Sequence, residues 1–398
     1  MKRTLTNRKH LPLAAVVTIG GLLVFYPVLY HHYLSTTLTQ WLPDTSTAFV
    51  IAAFTVMGLG LNVVVGYAGL LDLGYVAFFA AGSYTAGWLA SEQFGGSVGH
   101  PRSWILGGTV LKGTIGVHLT PWLVILLAAA FAALLGVLIG IPTLRLRGDY
   151  LAIVTLGFGE IIPQFARNGD SIFGLNVTNG SFGLNGIDGL GFGHAVHSAL
   201  PFMPDNFLNE ADSTWYYWTA LGLVAITMSV SLLLRDSRVG RAWIAIREDE
   251  DAAAAMGIPL MRTKTLAYLI GAFFGGAAGC LITLQAGATS PQAFSLQVSI
   301  FVLTMVILGG MGNVWGVALG SAILAYVNYQ GLFAAGNTFN STFGTNVDIS
   351  EYAYLIYGAA IVAFMLIRPE GLIPSARRRA ELHEDDESDS ELTEGAFA

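Results

Sequence analysis

Residues 236–264, DSRVGRAWIAIREDEDAAAAMGIPLMRTK, form the longest strongly charged stretch between hydrophobic segments. Read from its middle, the stretch is a short helix with legible ends. Glu248, Asp249, Glu250 and Asp251 suit the positive end of a helix dipole. The alanines at 252–255 and Met256 continue it cheaply, Gly257 offers a left-handed stop, and Pro259 prevents continuation. A helix this short is marginal in water unless something packs against it. Its small side chains present a smooth face on which a partner can sit closely. The plainer reading is a solvated connector between two membrane helices.

What flanks the stretch bears on that choice. The chain has 398 residues, of which 54% are hydrophobic and 11% charged, with a mean hydropathy of +0.61. Soluble domains carry about 25% charged residues, so this is a polytopic membrane protein. No nucleic-acid partner is expected. Cys280 is the single cysteine and lies in a hydrophobic segment, so no internal disulfide forms. Forty-eight glycines in so apolar a chain imply close helix packing and interrupted helices.

The expected fold is an all-α polytopic membrane protein of about ten transmembrane helices with interrupted or re-entrant segments. Lys2, Arg3, Arg8 and Lys9 precede an apolar run over 11–30, read as a retained first helix. Further spans are expected at 47–66, 75–91, 121–141, 151–166, 215–234, 265–284, 296–312, 316–334 and 352–367. With both termini cytosolic, 16 of the 19 Lys and Arg fall inside, and only Arg102, Lys112 and Arg167 fall outside. The same topology puts the sequons at Asn176, Asn179 and Asn340 outside. Residues 1–380 then form one transmembrane domain, with 236–264 as a cytosolic loop. Outer loops are expected at 92–120, with an amphipathic element near 105–119, and at 167–214. The tail at 381–398 holds eight acidic residues and no basic one, and is expected to be disordered. Together with the acidic outer loops, it hints at a salt-adapted organism.

Three places break the apolar pattern. Asp72 lies in NVVVGYAGLLDLGYVAFF among Gly66, Gly69 and Gly74, and Glu160 lies in TLGFGEIIPQ beside Gly157, Gly159 and Pro163. A carboxylate facing lipid costs about 2.5–3.5 kcal/mol on insertion scales, so each is expected to face protein or water. The third break is ILGGMGNVWG at 307–316, where Gly309 and Gly312 repeat the spacing of Gly66 and Gly69. That echo hints at two related halves, as in many transporters. Broken backbone at membrane depth is tolerated where it is buried or lines a cavity, and the bland alternative is tight helix packing. Asn62, Gly66, Tyr67, Asp72, Glu160, Gly310 and Asn313 are therefore candidates for a translocation path.

Catalytic patterns fail. GGSVG at 95–99 matches a nucleophile-elbow pattern but lacks the strand-to-helix setting. His194 and His197 have no companion metal ligands. Lys264 and Thr265 have no Gly-rich loop before them, so ATP is not bound by that device. No catalytic residue, metal site or cofactor is expected.

EDEDAAAAMGIPLMRTK resembles the coupling loop of ATP-binding-cassette importer permeases, whose pattern is an acidic residue, two alanines, three variable residues and glycine; Asp251, Ala252, Ala253 and Gly257 occupy that spacing. LNVVVGYAGLLDLGYVAFFAAGSYTA, LRLRGDYLAIVTLGFGE, VGRAWIAIREDEDAAAAMGI, SPQAFSLQVSIFVLTMVILGGMGN and IRPEGLIP follow one another as in the second permease subunit of branched-chain amino acid importers. The resemblance runs over 62–374. It implies a plasma-membrane subunit of a prokaryote that pairs with a sister permease, two cytosolic ATPases and an extracytoplasmic substrate-binding protein. It also implies that Ala252, Ala253 and Gly257 fit the ATPase, while Arg247 and Glu248, Asp249, Glu250 and Asp251 orient the loop. Leucine, isoleucine and valine are the implied cargo, although similar permeases carry other amino acids, urea or short amides. A secondary transporter using Asp72 and Glu160 as ion sites leaves the Ala-Ala-Gly loop unexplained.

Overall fold

The structure, a computed structural model, describes residues 13–32, 41–94, 103–106, 116–146, 148–172, 176–190, 213–343, 352–368 and 371–373. The first helices are α1 (Leu13–His32), α2 (Thr45–Leu61), α3 (Val76–Leu89), α4 (Pro121–Thr143), α5 (Asp149–Arg167) and α6 (Ser213–Asp236). The charged stretch supplies α7 (Arg238–Glu248) and α8 (Glu250–Ala255). Then follow α9 (Leu260–Ala286), α10 (Leu296–Gly309), α11 (Val314–Tyr326), α12 (Leu332–Phe343) and α13 (Ala353–Ile367). Each expected span falls on a helix. Among the described residues, five are long and apolar enough to cross a membrane: Thr45–Tyr67, Pro121–Thr143, Ser213–Asp236, Leu260–Ala286 and Val314–Thr342.

The core is built around α9, which packs on α2, α3 and α4. Its 27 residues extend about 40 Å at 1.5 Å per residue. Small residues set the spacing. A Cβ added at Gly82 of α3 would overlap the Gly276 carbonyl of α9, so the two backbones touch there. In hydrocarbon, where apolar burial gives little drive, such close packing is what holds helices together.

Two helices lose their regular pitch. Leu61 passes into a π-helical turn at Asn62–Tyr67, and residues 68–75 then run without regular helix to α3. A second π-helical turn, Val327–Gly331, joins α11 to α12, so the expected span at 316–334 continues to Phe343. Asn340 therefore sits in a helix rather than in a loop.

The all-α expectation needs a correction at one end of the bundle. Short strands β1 (Ala90–Ser91), β2 (Ser103–Leu106) and β3 (Gly116–Leu119) form a sheet in the order β1-β3-β2, with β3 antiparallel to β1 and parallel to β2. Of the element expected near 105–119, residues 105–106 and 116–119 lie in strands, and 107–115 lie outside the described residues. A second pair joins β4 (Leu184–Asn185) to β5 (Ala288–Thr289). Strands suit this end because exposed loop backbone finds its partners there. Asp188 N donates to Ala90 O at 2.8 Å and Trp88 Nε1 to Val177 O at 2.8 Å. His118 Nδ1 lies 2.6 Å from Asp188 Oδ2, and His118 is buried. Asn176 Oδ1 accepts from Asn179 N at 2.7 Å, so these two sequon residues shape a turn. Residues 95–99, His194, His197 and the acidic tail at 381–398 lie outside the described residues.

Candidate functional site: a junction between the charged segment and two helix breaks

The charged segment folds as two helices joined at Asp249. Ser237 caps α7 by accepting from Gly240 N at 3.1 Å. Asp249 caps α8, its Oδ1 accepting from Asp251 N and Ala252 N, both at 2.9 Å. At the far end Ile258 N donates to Ala253 O at 3.1 Å and Gly257 N to Ala254 O at 2.9 Å, a Schellman closure with Gly257 at φ +83°. The glycine stop expected from sequence is present, and so is the acidic start from Asp249 to Asp251; Glu248 instead ends α7.

The segment is clamped to the helical body. Trp243 of α7 is fully buried, stacks on Tyr67 with ring centroids 6.4 Å apart, and donates from Nε1 to Thr263 O at 2.7 Å. Lys264, buried at the start of α9, places Nζ 2.7 Å from Glu250 Oε1. This is a polar role for a lysine that earlier mattered only as a failed phosphate motif.

Arg247 carries the charged segment's reach to the first helix break. Its Nη1 donates to Gly66 O at 2.7 Å, a bond joining residues 181 apart in sequence. Gly66 lies in the π-helical turn, where altered pitch leaves carbonyls open to an outside donor. Asn62, in the same turn, accepts on Oδ1 from Gly312 N at 2.9 Å. A Cβ at Gly66 would strike both Asn62 and Gly312 N. The two glycine clusters that echo each other in sequence therefore meet in space, with the Arg247 guanidinium beside them.

The second break is closed from the far end of the chain. Asn313 Oδ1 caps α11, accepting from Trp315 N at 3.1 Å, while its Nδ2 donates to Ile373 O at 2.9 Å. Leu372 N donates to Leu308 O at 2.8 Å, and Gly371 lies against Gly310. Part of IRPEGLIP is thus a backbone partner for the 308–313 turn. Sequence reading had no signal for this pairing.

The candidate residues divide into three groups. Asn62, Gly66, Tyr67, Gly310 and Asn313 knit the junction together. Asp72 is buried at 1% exposure in the turn between α2 and α3, with Oδ1 accepting from Gly74 N at 2.8 Å. Glu160 is exposed on α5, on a face shared with Tyr150, Ile153, Ile161 and Gln164. On α8, Ala253 turns inward at 3% exposure, whereas Ala252, Ala254, Ala255 and Gly257 are exposed. Met256 stands out from them at 84% exposure. The motif's spacing gave no hint of Met256, because the pattern leaves that position variable.

The junction is built from hydrogen bonds that join the charged segment to the two helix breaks. Among the described residues no group of three or more His, Cys, Asp or Glu is placed to hold a metal ion.

Comparison with known proteins identifies the family. The family described as "Branched-chain amino acid transport system / permease component" matches residues 45–365. The high-affinity branched-chain amino acid transport system permease protein LivM of Escherichia coli is 36% identical over 349 residues, which covers 85% of this chain and 71% of that protein. A probable branched-chain amino acid transport permease protein LivM of Methanocaldococcus jannaschii is 25% identical, covering 81% and 90%. The permease protein BraD of Pseudomonas aeruginosa is 22% identical, covering 81% and 92%. No solved structure matches the chain.

Proposed function

Because the chain belongs to the branched-chain amino acid transport permease family, we propose that it carries branched-chain amino acids across a prokaryotic plasma membrane as one permease of an ATP-driven importer. It is a multi-pass membrane protein and a non-catalytic transport component. In the full assembly a sister permease supplies the other half of the path, two cytosolic ATPases hydrolyse ATP, and an extracytoplasmic binding protein delivers cargo. The ten helical segments cross with both termini in the cytosol, which puts the Arg247 junction inside and the strand-built cap outside.

The observation that carries this reading is the exposed face of α8 on a segment locked to the body. Ala252, Ala254 and Ala255 admit a close partner, and Met256 is a flexible apolar knob of the kind that fills irregular clefts. An ATPase gripping this face would move α7 with it. Arg247 would pass that motion to the Gly66 turn, and Asn62 would pass it on to Gly312. Both helix breaks then shift together.

The exposed face of α5 supports a second permease subunit. Glu160 and Gln164 on that face are costly neighbours for lipid, and a sister subunit across a water-filled path accommodates them. Asn62, Gly66, Tyr67, Gly310 and Asn313 then govern the path by holding its inner end rather than by touching cargo. Asp72 stands behind the path wall, since Gly74 packs against Thr155 and Gly159 of α5.

The test is ATP-dependent uptake of labelled leucine into vesicles holding the whole complex. Met256→Glu loses no buried contact within the chain, so uptake and cargo-stimulated ATPase should fall at least tenfold while the permease stays folded. Unchanged uptake would remove α8 from the coupling surface. Urea or acetamide competing as well as leucine would replace the cargo assignment and leave the coupling intact.

A further inference from the structure

Behind the α5 wall lies a small polar site that neither the junction nor the transport reading uses. Asp72 Oδ2 is buried without a hydrogen-bond partner, and so is the hydroxyl of Tyr268 on α9. Both side chains line one pocket, whose remaining walls include Phe78, Ile139, Thr155 and Phe158. Its open space is about that of a single water molecule.

The surroundings offer Asp72 no counter-charge. It joins no ion pair among the described residues. In the turn itself, just before α3, the titratable neighbour is Tyr75, whose hydroxyl is already given to Gly271 O at 2.9 Å; from α9 it is Tyr268. From α5 comes Thr155, occupied by Leu73 N at 3.1 Å and Ala152 O at 3.0 Å, and from α4 only Ile139. Ser299 of α10 is occupied by Val76 N at 3.0 Å. Leaving a carboxylate charged in such a place costs several kcal/mol even after relaxation. A hard metal cation takes about six or more oxygens, and this largely apolar pocket does not supply them.

We propose that the pocket binds a proton and one water molecule: Asp72 carries the proton on Oδ2, and the trapped water joins it to the Tyr268 hydroxyl. The water satisfies both orphaned groups at once. The proton removes the charge that would otherwise force the 68–75 turn open, so the turn and the start of α3 are fixed by neutral hydrogen bonds that Leu73 N donates to the Thr155 hydroxyl and Val76 N to the Ser299 hydroxyl. This inference concerns the interior of the single chain and is independent of the cargo and of the partners.

Infrared spectroscopy of the assembled complex in lipid at neutral pH tests it. A carbonyl stretch from a protonated carboxyl is expected, displaced when the protein is made with aspartate carrying heavy carbon in its carboxyl group, and absent in Asp72→Asn. The isotope arm keeps the test valid even if that variant fails to fold. Tyr268→Phe should shift the band, because the water loses one partner, and exchanging sodium for choline should leave it in place. Absence of the band in the natural chain would overturn the proposal. An unmoved band in Tyr268→Phe would refute the water link, and a band appearing only without sodium would make this a cation site.

Discussion

The two ends of the helical bundle are built differently. At the cap end, alongside side-chain bonds such as Trp88 Nε1 to Val177 O, chain segments are tied by backbone pairing: β1 with β3, β3 with β2, β4 with β5, and Asp188 N with Ala90 O. At the opposite end, beside the backbone pairing of 372–373 with 308–309, long-range joints run through single side chains: Arg247 to Gly66 O, Asn62 to Gly312 N, Trp243 to Thr263 O and Asn313 to Ile373 O. Backbone ladders share load across several bonds, whereas a side-chain joint stands or falls with one residue.

The joints at the Arg247 end should therefore be separable by mutation. Trp243→Ala carries the largest expected effect. It removes a fully buried indole, its stack on Tyr67 and its bond to Thr263 O, and truncations of that kind cost about 3–5 kcal/mol. Thermal unfolding of the purified permease should show the loss, together with release of the 236–264 segment to protease. A permease of unchanged stability would mean that α7 is held by something other than this anchor.

Arg247→Met should come next and should differ in kind. A hydrogen bond from a charged group is worth about 1.5–3 kcal/mol, so the junction weakens while Trp243 still holds α7 in place. Uptake should fall about tenfold or more with basal ATPase retained, because the connection to the Gly66 turn is cut but the ATPase face is not. Arg247→Lys should restore little, since an ammonium on a flexible stem lacks the fixed planar fork of a guanidinium. Equal loss of basal ATPase would place Arg247 in the docking surface instead.

His118→Ala sharpens the other half of the comparison. It removes the 2.6 Å contact to Asp188 and costs about 1–3 kcal/mol for a buried polar bond. The neighbouring β1–β3 pairing remains, so the cap should loosen locally without affecting ATPase coupling. Hydrogen exchange confined to 187–190 would agree with that. Lost uptake accompanied by normal local exchange would show that the cap end also transmits motion.

How much of this was legible follows from the range of each interaction. The α8 helix is local: Asp249, the alanine run and Gly257 lie within nine residues, and cap and stop were both readable. The helix breaks were readable as glycine clusters in apolar runs, yet their meeting was not, because Asn62 and Gly312 are 250 residues apart. Lys264 looked like the end of a failed motif, and only the folded chain brings it to Glu250. Asp72 and Glu160 look alike in sequence, both being acids near glycines. Their local backbone separates them, with Asp72 buried in a turn and Glu160 on the outward face of α5.

The smallest expected effect tests whether α8 must be pre-formed. Asp249 Oδ1 accepts two backbone N–H groups at the helix start, and removing a cap of this type costs about 1 kcal/mol. That loss matters for a six-residue helix, which has little hydrogen bonding of its own to set against it. Asp249→Ala should speed amide exchange over 250–256 and lower uptake severalfold without altering assembly. Asp249→Asn keeps a capping oxygen while removing the charge, so it should preserve both exchange and uptake. If the asparagine variant failed as badly as the alanine one, the carboxylate would be acting through its charge on a partner. The difference between the bundle ends would then lie in what each end touches, and not in how each is tied.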